Sequence, residues 1–184
     1  MLKQMKAELS LIAMCAVGVS GCSSSARKSE TIPSAKVSTR IMNEKMPQPV
    51  YNTREGQFDG LPSVMIVNQA LKGYKFKADF PWYLHIDIAV QEQNPAELPT
   101  QKEAKVLNAL EDKISEALNK VCRNHYIGRT SWKGRREIFF YLDSPKEAHR
   151  VLRSFTSAKK PIREFEYEMS EDKDWGKVDF FFDY

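Results

Sequence analysis

An α+β domain built on an antiparallel sheet is what this sequence predicts, and three observations predict it. Trp82–Val90 alternates strictly: Trp82, Leu84, Ile86, Ile88 and Val90 take one face, and Tyr83, His85, Asp87 and Ala89 the other, as a half-buried strand requires. Two later segments carry their apolar residues at helical spacing instead. Between those segments lie two strand-like runs joined by a glycine-containing turn, a connection short enough only for antiparallel neighbours.

The folded part is expected to begin near Pro47. Val50–Arg54 and Leu61–Asn68 read as a hairpin whose turn is Glu55-Gly56-Gln57-Phe58-Asp59-Gly60, because two glycines punctuate it. After the strand Trp82–Val90 and the loop Asn94–Pro99, Thr100 and Glu103 form a T-x-x-E capping box, in which hydroxyl and carboxylate satisfy backbone donors at a helix start. Leu107, Leu110, Ile114, Ala117, Leu118 and Val121 then share one helical face. His125–Ser131 and Arg136–Leu142 are strands joined through Trp132-Lys133-Gly134. Ser144-Pro145-Lys146-Glu147 is a second capping box with proline at the first helical position, and its helix turns Ala148, Val151, Leu152 and Phe155 inward until Pro161 ends it. Phe165, Tyr167 and Met169 alternate with Glu164, Glu166 and Glu168 in a further strand, and Val178–Phe182 reads as a short last one. From Trp82 to Met169 the order strand, helix, strand, strand, helix, strand is the split β-α-β arrangement called ferredoxin-like, antiparallel with both helices on one face and here preceded by a β-hairpin.

The N-terminal segment is of another kind. Lys3 and Lys6 precede the apolar run Leu9–Val19, which is shorter than the ~20 residues of a spanning helix. Val19-Ser20-Gly21-Cys22 resembles the bacterial lipobox. That resemblance implies cleavage between Gly21 and Cys22 and two or three acyl chains on Cys22, whose thiolate is the nucleophile that takes the lipid. One chain binds a membrane only marginally, so more than one makes release slow. Ser23, where Asp would retain the protein at the inner membrane of enteric-type bacteria, implies the outer membrane, facing the periplasm. The expected organisation is a signal peptide over 1–21, a lipidated N-terminus and Ser/Lys/Thr-rich flexible tether over 22–46, and one α+β domain over 47–184.

Charge and cysteines narrow the function. The formal net charge is +4, and Lys3, Lys6 and Glu8 contribute +1 of it, leaving +3 from Cys22 onward; this is weak for a nucleic-acid partner. With Cys15 in the signal and Cys22 lipidated, Cys122 has no internal partner and is expected as a small buried hydrophobe. The sheet face away from the helices is expected to show Tyr83, His85 and Asp87 beside Glu137, Phe139 and Tyr141. Aromatics on such a face stack bases in one class of RNA-binding domains, but the acidic residues and export oppose that use. His85 with Asp87 and Glu137 has the composition of a general base or metal site. His85, His125 and His149 nevertheless fall on separate elements without ligand spacing, so no metal and no cofactor is expected. Arg129 and Arg136 are candidates to grip an anion. GxSxG, HExxH and P-loop motifs are absent from the sequence. The expectation is a non-enzymatic envelope module that binds a protein or peptide partner; the alternative is an envelope enzyme using the His85/carboxylate or the Arg129/Arg136 cluster on the open sheet face.

Asp59-Gly60-Leu61-Pro62, Leu110-Glu111-Asp112, Gly128-Arg129-Thr130, Gly134 to Tyr141, Phe165-Glu166-Tyr167 and Asp172-Lys173-Asp174-Trp175 together resemble a bacterial family, the domain of unknown function 695, over most of Pro47 to Phe182. The resemblance implies no activity and no catalytic residues. Read physically, Gly134 supplies a turn, Gly128 permits close backbone approach, Arg129 with Asp112 or Arg136 with Asp174 forms an ion pair, and Trp175 packs at the sheet edge.

Replacing Cys22 tests the anchor. Cys22→Ala is expected to abolish metabolic fatty-acid labelling and to leave the precursor uncleaved; labelling that survives in the mutant refutes the lipobox assignment.

Overall fold

Alternation along β3 and β5 decides which way the sheet faces. In β3 (Trp82–Ala89), Leu84, Ile86 and Ile88 are fully buried on one side, and in β5 (Arg135–Leu142) Ile138, Phe140 and Leu142 join them. Leu107, Leu110, Ile114 and Leu118 of α1 (Gln101–Asn119) and Ala148 and Leu152 of α2 (Pro145–Thr156) complete that layer, so both helices pack on one face. The computed structural model describes residues 45–183; the lipobox, Cys22 and nearly all of the tether lie outside them. Four more strands fill the sheet: β1 (Tyr51–Phe58), β2 (Leu61–Asn68), β4 (Asn124–Trp132) and β6 (Glu166–Glu171). The order is β1-β2-β4-β5-β3-β6, and every neighbouring pair is antiparallel. The architecture is therefore α+β, with a six-stranded antiparallel sheet and two main helices.

The other face is closed too. Met65, Val67, Tyr83, Ile127, Phe139 and Tyr141 of the sheet pack against Leu71, Tyr74 and Phe80 from the β2–β3 connection and against Trp175, Val178 and Phe181 from the C-terminal segment. Trp175 is the centre of this layer, not an edge residue. It is fully buried, stacks on Tyr141 at 4.3 Å and on Tyr74 at 5.2 Å, and its Nε1 donates to the Phe80 carbonyl at 3.0 Å. Each such aromatic contact adds roughly 0.5–1.5 kcal/mol beyond area burial. Val178–Phe182, expected as a short strand, falls almost wholly within a 3₁₀ helix, Gly176–Phe181, laid across the sheet. A fully buried Val178 and Phe181 make an apolar run look strand-like, but their spacing of three is that of a 3₁₀ turn.

Local chemistry departs from expectation at three further points. β1 runs on to Phe58, and the turn is only Asp59-Gly60, both at positive φ (49° and 78°) as a tight two-residue hairpin needs. At α1 the Thr100 hydroxyl does cap Glu103 N–H (3.2 Å), but the Glu103 carboxylate turns away from the box. It accepts from Gln91 N–H and from Arg163 (3.1 Å to Nε, 2.6 Å to Nη2) while almost wholly buried. At α2, Ser144 makes no side-chain cap, and Glu147 pairs with Arg150 instead.

Gly128 sits at the one irregularity between β4 and β5. A Cβ there would lie 2.1 Å from the Ile66 carbonyl oxygen and 3.0 Å from the Phe181 ring, so β2, β4 and the C-terminal segment all close on a missing side chain. Gly56, by contrast, would place a Cβ at an ordinary 3.8 Å from Ser63 Oγ. Gly128→Ala is expected to destabilise by more than ~1 kcal/mol, and Gly56→Ala to stabilise by roughly 0.5 kcal/mol, in urea unfolding. Equal effects at the two positions would refute this account of the β2–β4 approach.

Candidate functional site

The seven residues singled out from the sequence do not converge. Tyr83, His85, Asp87, Glu137 and Tyr141 face the C-terminal segment, whereas Arg129 and Arg136 face α1 on the opposite side of the sheet. That division follows from the alternation of β5, where Arg136 shares a face with Ile138 and Glu137 shares one with Phe139.

On the first side, the expected open face is closed at Tyr83 and Tyr141. Tyr141 is fully buried under Trp175 and donates its hydroxyl to Asp172; Tyr83 is nearly buried, with Lys177 over its ring. Burial raises the phenol pKa of both above the ordinary tyrosine value. His85 stays partly accessible, stacked on Phe139, with Nε2 3.2 Å from Glu137 Oε1 but not aligned as a hydrogen bond. Glu137 also accepts from Thr130 Oγ1 (2.8 Å) and Trp132 Nε1 (3.1 Å). His85 first, then these donors, hold its pKa down to about 2 against the opposing effect of burial. Asp87 does not join them: Arg135 takes both its oxygens, with Nε at 2.6 Å from Oδ1.

On the helix side, Glu111 is the hub that sequence reasoning missed by one residue. Its Oε1 accepts from Tyr126 Oη at 2.6 Å; its Oε2 accepts from Arg129 Nη1 at 2.7 Å and lies 3.6 Å from Arg136 Nη1. Arg136 is itself buried and donates to Asn108 and Ser131. Asp112, the expected partner, is one residue and ~100° further round α1. Asp174 belongs to the segment beside Trp175 on the other face. Both arginines are thus internal ties between β4, β5 and α1.

Beside this network lies a groove of about 490 Å³ between α1 and the β2–β4 strands, with Tyr51, Ile66, Asp112, Asn119, Tyr126 and Arg129 in its walls. His125 closes one end, nearly buried, its Nε2 3.0 Å from Tyr74 Oη, which donates to the Lys45 carbonyl at 2.6 Å. Burial lowers the His125 pKa to about 4, so the ring is neutral at neutral pH. Cys122 is half-buried, with Sγ 3.5 Å from the Leu118 carbonyl, and burial pushes its thiol up to about 11; it stays protonated and unreactive.

The feature that the sequence did not bring forward is β1 itself. Among the described residues it pairs only with β2, and most of its residues are exposed. The tight turn fixes the register, so Phe58, Gly56, Arg54 and Asn52 direct their backbone groups at β2, and Gln57, Glu55, Thr53 and Tyr51 direct theirs outward. The opposite edge, β6, carries Glu166, Glu168 and Glu171, whereas β1 carries only Arg54 and Glu55. Val50 and Tyr51 at its start are 55% and 53% exposed. The groove ends at Tyr51 on the helix side, and a hollow of about 410 Å³ opens on the other side over Gly56, edged by Arg54 and Phe58 and floored by Ser63 and Met65.

Among the described residues, no group of three or more His, Cys, Asp or Glu is placed to hold a metal ion, and no helix is long and apolar enough to cross a membrane. The model of a family of unknown function, DUF695, matches residues 52–184. No curated protein and no solved structure matches the chain.

Acid should weaken the fold in two windows. The folded-state pKa of His125, about 4, lies below its unfolded value near 6.5, so its contribution is complete above pH 6.5 and is lost as pH falls toward 4, by up to ~3 kcal/mol. Glu137, also depressed, adds a loss from about pH 4.5 down to 2. His125→Gln is expected to flatten the urea-unfolding stability curve between pH 6.5 and 4; an unchanged slope there refutes the assignment.

Proposed function

The chain belongs to the DUF695 family, a membership that brings no activity with it, and we propose from its geometry that the domain is a non-catalytic module that binds an extended peptide segment of another envelope protein by strand addition along β1. The observation that carries this reading is the edge that β1 leaves free among the described residues: eight residues long, mostly exposed, with outward backbone groups at Tyr51, Thr53, Glu55 and Gln57 and a hollow on each flank. The lipobox supports a lipid on Cys22 and residence at the outer membrane, facing the periplasm; Cys22–Met46 would join the anchor to the domain. We read β3-α1-β4-β5-α2-β6, with strand order β4-β5-β3-β6, as a ferredoxin-like sheet widened by the hairpin β1-β2 on its β4 edge.

Magnitudes favour a partner with anchoring side chains. Each new backbone hydrogen bond is worth a net ~0.5–1.5 kcal/mol, while ordering a free peptide costs ~1–2 kcal/mol per residue. Pairing alone therefore roughly breaks even, and affinity has to come from side chains that fill the flanking hollows.

The enzymatic alternative has less to draw on. Arg129 and Arg136 are spent on Glu111, Asp87 is spent on Arg135, and a Glu137 held at about 2 is a weak proton acceptor.

Thr53→Pro isolates the edge. The Thr53 N–H points outward, so proline there removes no bond to β2 yet blocks an incoming strand. With a photo-crosslinking residue at Gln57 in cells, a defined envelope protein is expected to be captured through an extended segment, and Thr53→Pro is expected to abolish capture at unchanged thermal stability. Capture that is indifferent to Thr53→Pro removes strand addition as the mode.

A further inference from the structure

The hollow over Gly56 specifies what the incoming strand carries. Glycine weakens a strand because it offers no side chain to pack, and sheets commonly repair this with an aromatic ring from the cross-strand neighbour. Inside this sheet the neighbour is Ser63, which is too small, so the pair Gly56–Ser63 leaves the hollow between Arg54, Phe58 and Met65. Nothing in the Gly56 backbone calls for glycine: its φ is ordinary, and a Cβ would meet only Ser63 Oγ at 3.8 Å. The missing side chain therefore serves the space beside it.

Asn52, Arg54 and Gly56 point their own backbone groups at β2, so residues of an added strand opposite them form the closer, non-hydrogen-bonded pairs, with Cα atoms ~4.5 Å apart. A side chain opposite Gly56 enters the hollow. Two residues on, in an antiparallel strand, a side chain stands opposite Arg54. Arg54 spends one nitrogen on the Phe181 carbonyl at 3.1 Å, and the rest of its guanidinium fork still has donors to offer. A carboxylate is the complement of that charge.

We infer that the β1 site recognises an extended, antiparallel segment in which an aromatic residue is followed two positions later by Asp or Glu, the ring filling the Gly56 hollow and the carboxylate meeting Arg54. This inference rests on strand addition at β1 as the binding mode. Charge disfavours a second copy of this chain as the occupant: the two antiparallel self-pairings of greatest overlap that match outward backbone groups set Arg54 against Arg54 or Glu55 against Glu55, and like charges directly opposite are destabilising.

The test uses the full lipidated chain, ¹⁵N-labelled, in lipid nanodiscs. The probes are the blocked peptide Thr-Val-Thr-Phe-Thr-Glu-Thr-Val-Thr and two counterparts, with Ala for Phe and with Lys for Glu. The parent peptide is expected to shift the amides of Thr53, Glu55 and Gln57 saturably and to bind about fivefold tighter than either counterpart, the scale of one cross-strand pair. Gly56→Phe fills the hollow from within, so it is expected to erase the Phe-over-Ala preference while thermal melting shows a folded domain. Arg54→Gln is expected to erase only the Glu-over-Lys preference. Equal affinity of the Phe and Ala peptides for the wild type, or a preference that survives in Gly56→Phe, overturns the aromatic assignment. The Thr53→Pro chain separates the two levels: lost binding there keeps strand addition standing even if the ring preference fails, and unimpaired binding overturns both. β1 amide shifts that depend on protein concentration without any peptide assign the edge to a second copy and overturn the proposal.

Discussion

Two helices are too narrow for six strands. Strands lie ~4.8 Å apart and packed helices ~9 Å apart, so two helices cover about four strands and leave about two bare. Here α1 and α2 sit over β3 and β5, with α1 reaching β4 through Glu111, and the hairpin β1-β2 is left uncovered on that side. The same mismatch produces the groove beside Tyr126 and Arg129 and the exposure of β1. On the far face the C-terminal 3₁₀ helix and the β2–β3 connection cover the middle of the sheet, with Trp175 as the pin; they bury Met65 and Val67 of β2 and touch β1 at Arg54. The proposed β1 site lies where these two coverings stop.

The buried charges are consistent with a fixed rather than a reactive interior. Glu111 with Arg129, Arg136 and Tyr126, and Glu103 with Arg163, are paired carboxylates with hydrogen bonds to spare. Removing one member would strand its partner in a low-dielectric site at ~3–5 kcal/mol, whereas the intact set adds little net stability and mainly fixes geometry. Glu111 determines how α1 sits against β4, and so sets the width of the groove. The polar residues of that groove are first of all its frame.

Much of this was legible in the sequence, and the failures share a cause. β3 was plain because one of its faces is apolar without exception, and β5 and α1 because their apolar residues keep strand and helix spacing despite Arg136 and Glu111 on the same faces. β1 was cut short because Gly56 and Gly60 look alike in sequence. Only Gly60, with Asp59 before it, needs positive φ; Gly56 is extended and leaves a space. Val178–Phe182 was misread because an apolar run does not reveal its own periodicity at that length. Glu111 was missed in favour of Asp112 because helical phase is uncertain by a residue until the strand opposite is placed. Glu103 fitted a capping box by spacing, but a carboxylate this buried goes to the arginine that can follow it inward. In each case a non-local neighbour decided between local alternatives.

The free edge of β1 can then be weighed as a liability. A long, lightly charged edge next to exposed Val50 and Tyr51 is what soluble proteins normally avoid, and sharing a membrane surface through a lipid anchor would raise the concentration of copies meeting one another. β6 shows the ordinary protection, three glutamates in six residues. β1 has a different and more selective one: Arg54 and Glu55 oppose the self-pairings that would cover most of the strand, while a heterologous strand of complementary charge meets no such opposition. That asymmetry between β1 and β6 is what the proposed strand addition would exploit: an edge that opposes its own copies while a strand of complementary charge can still pair with it.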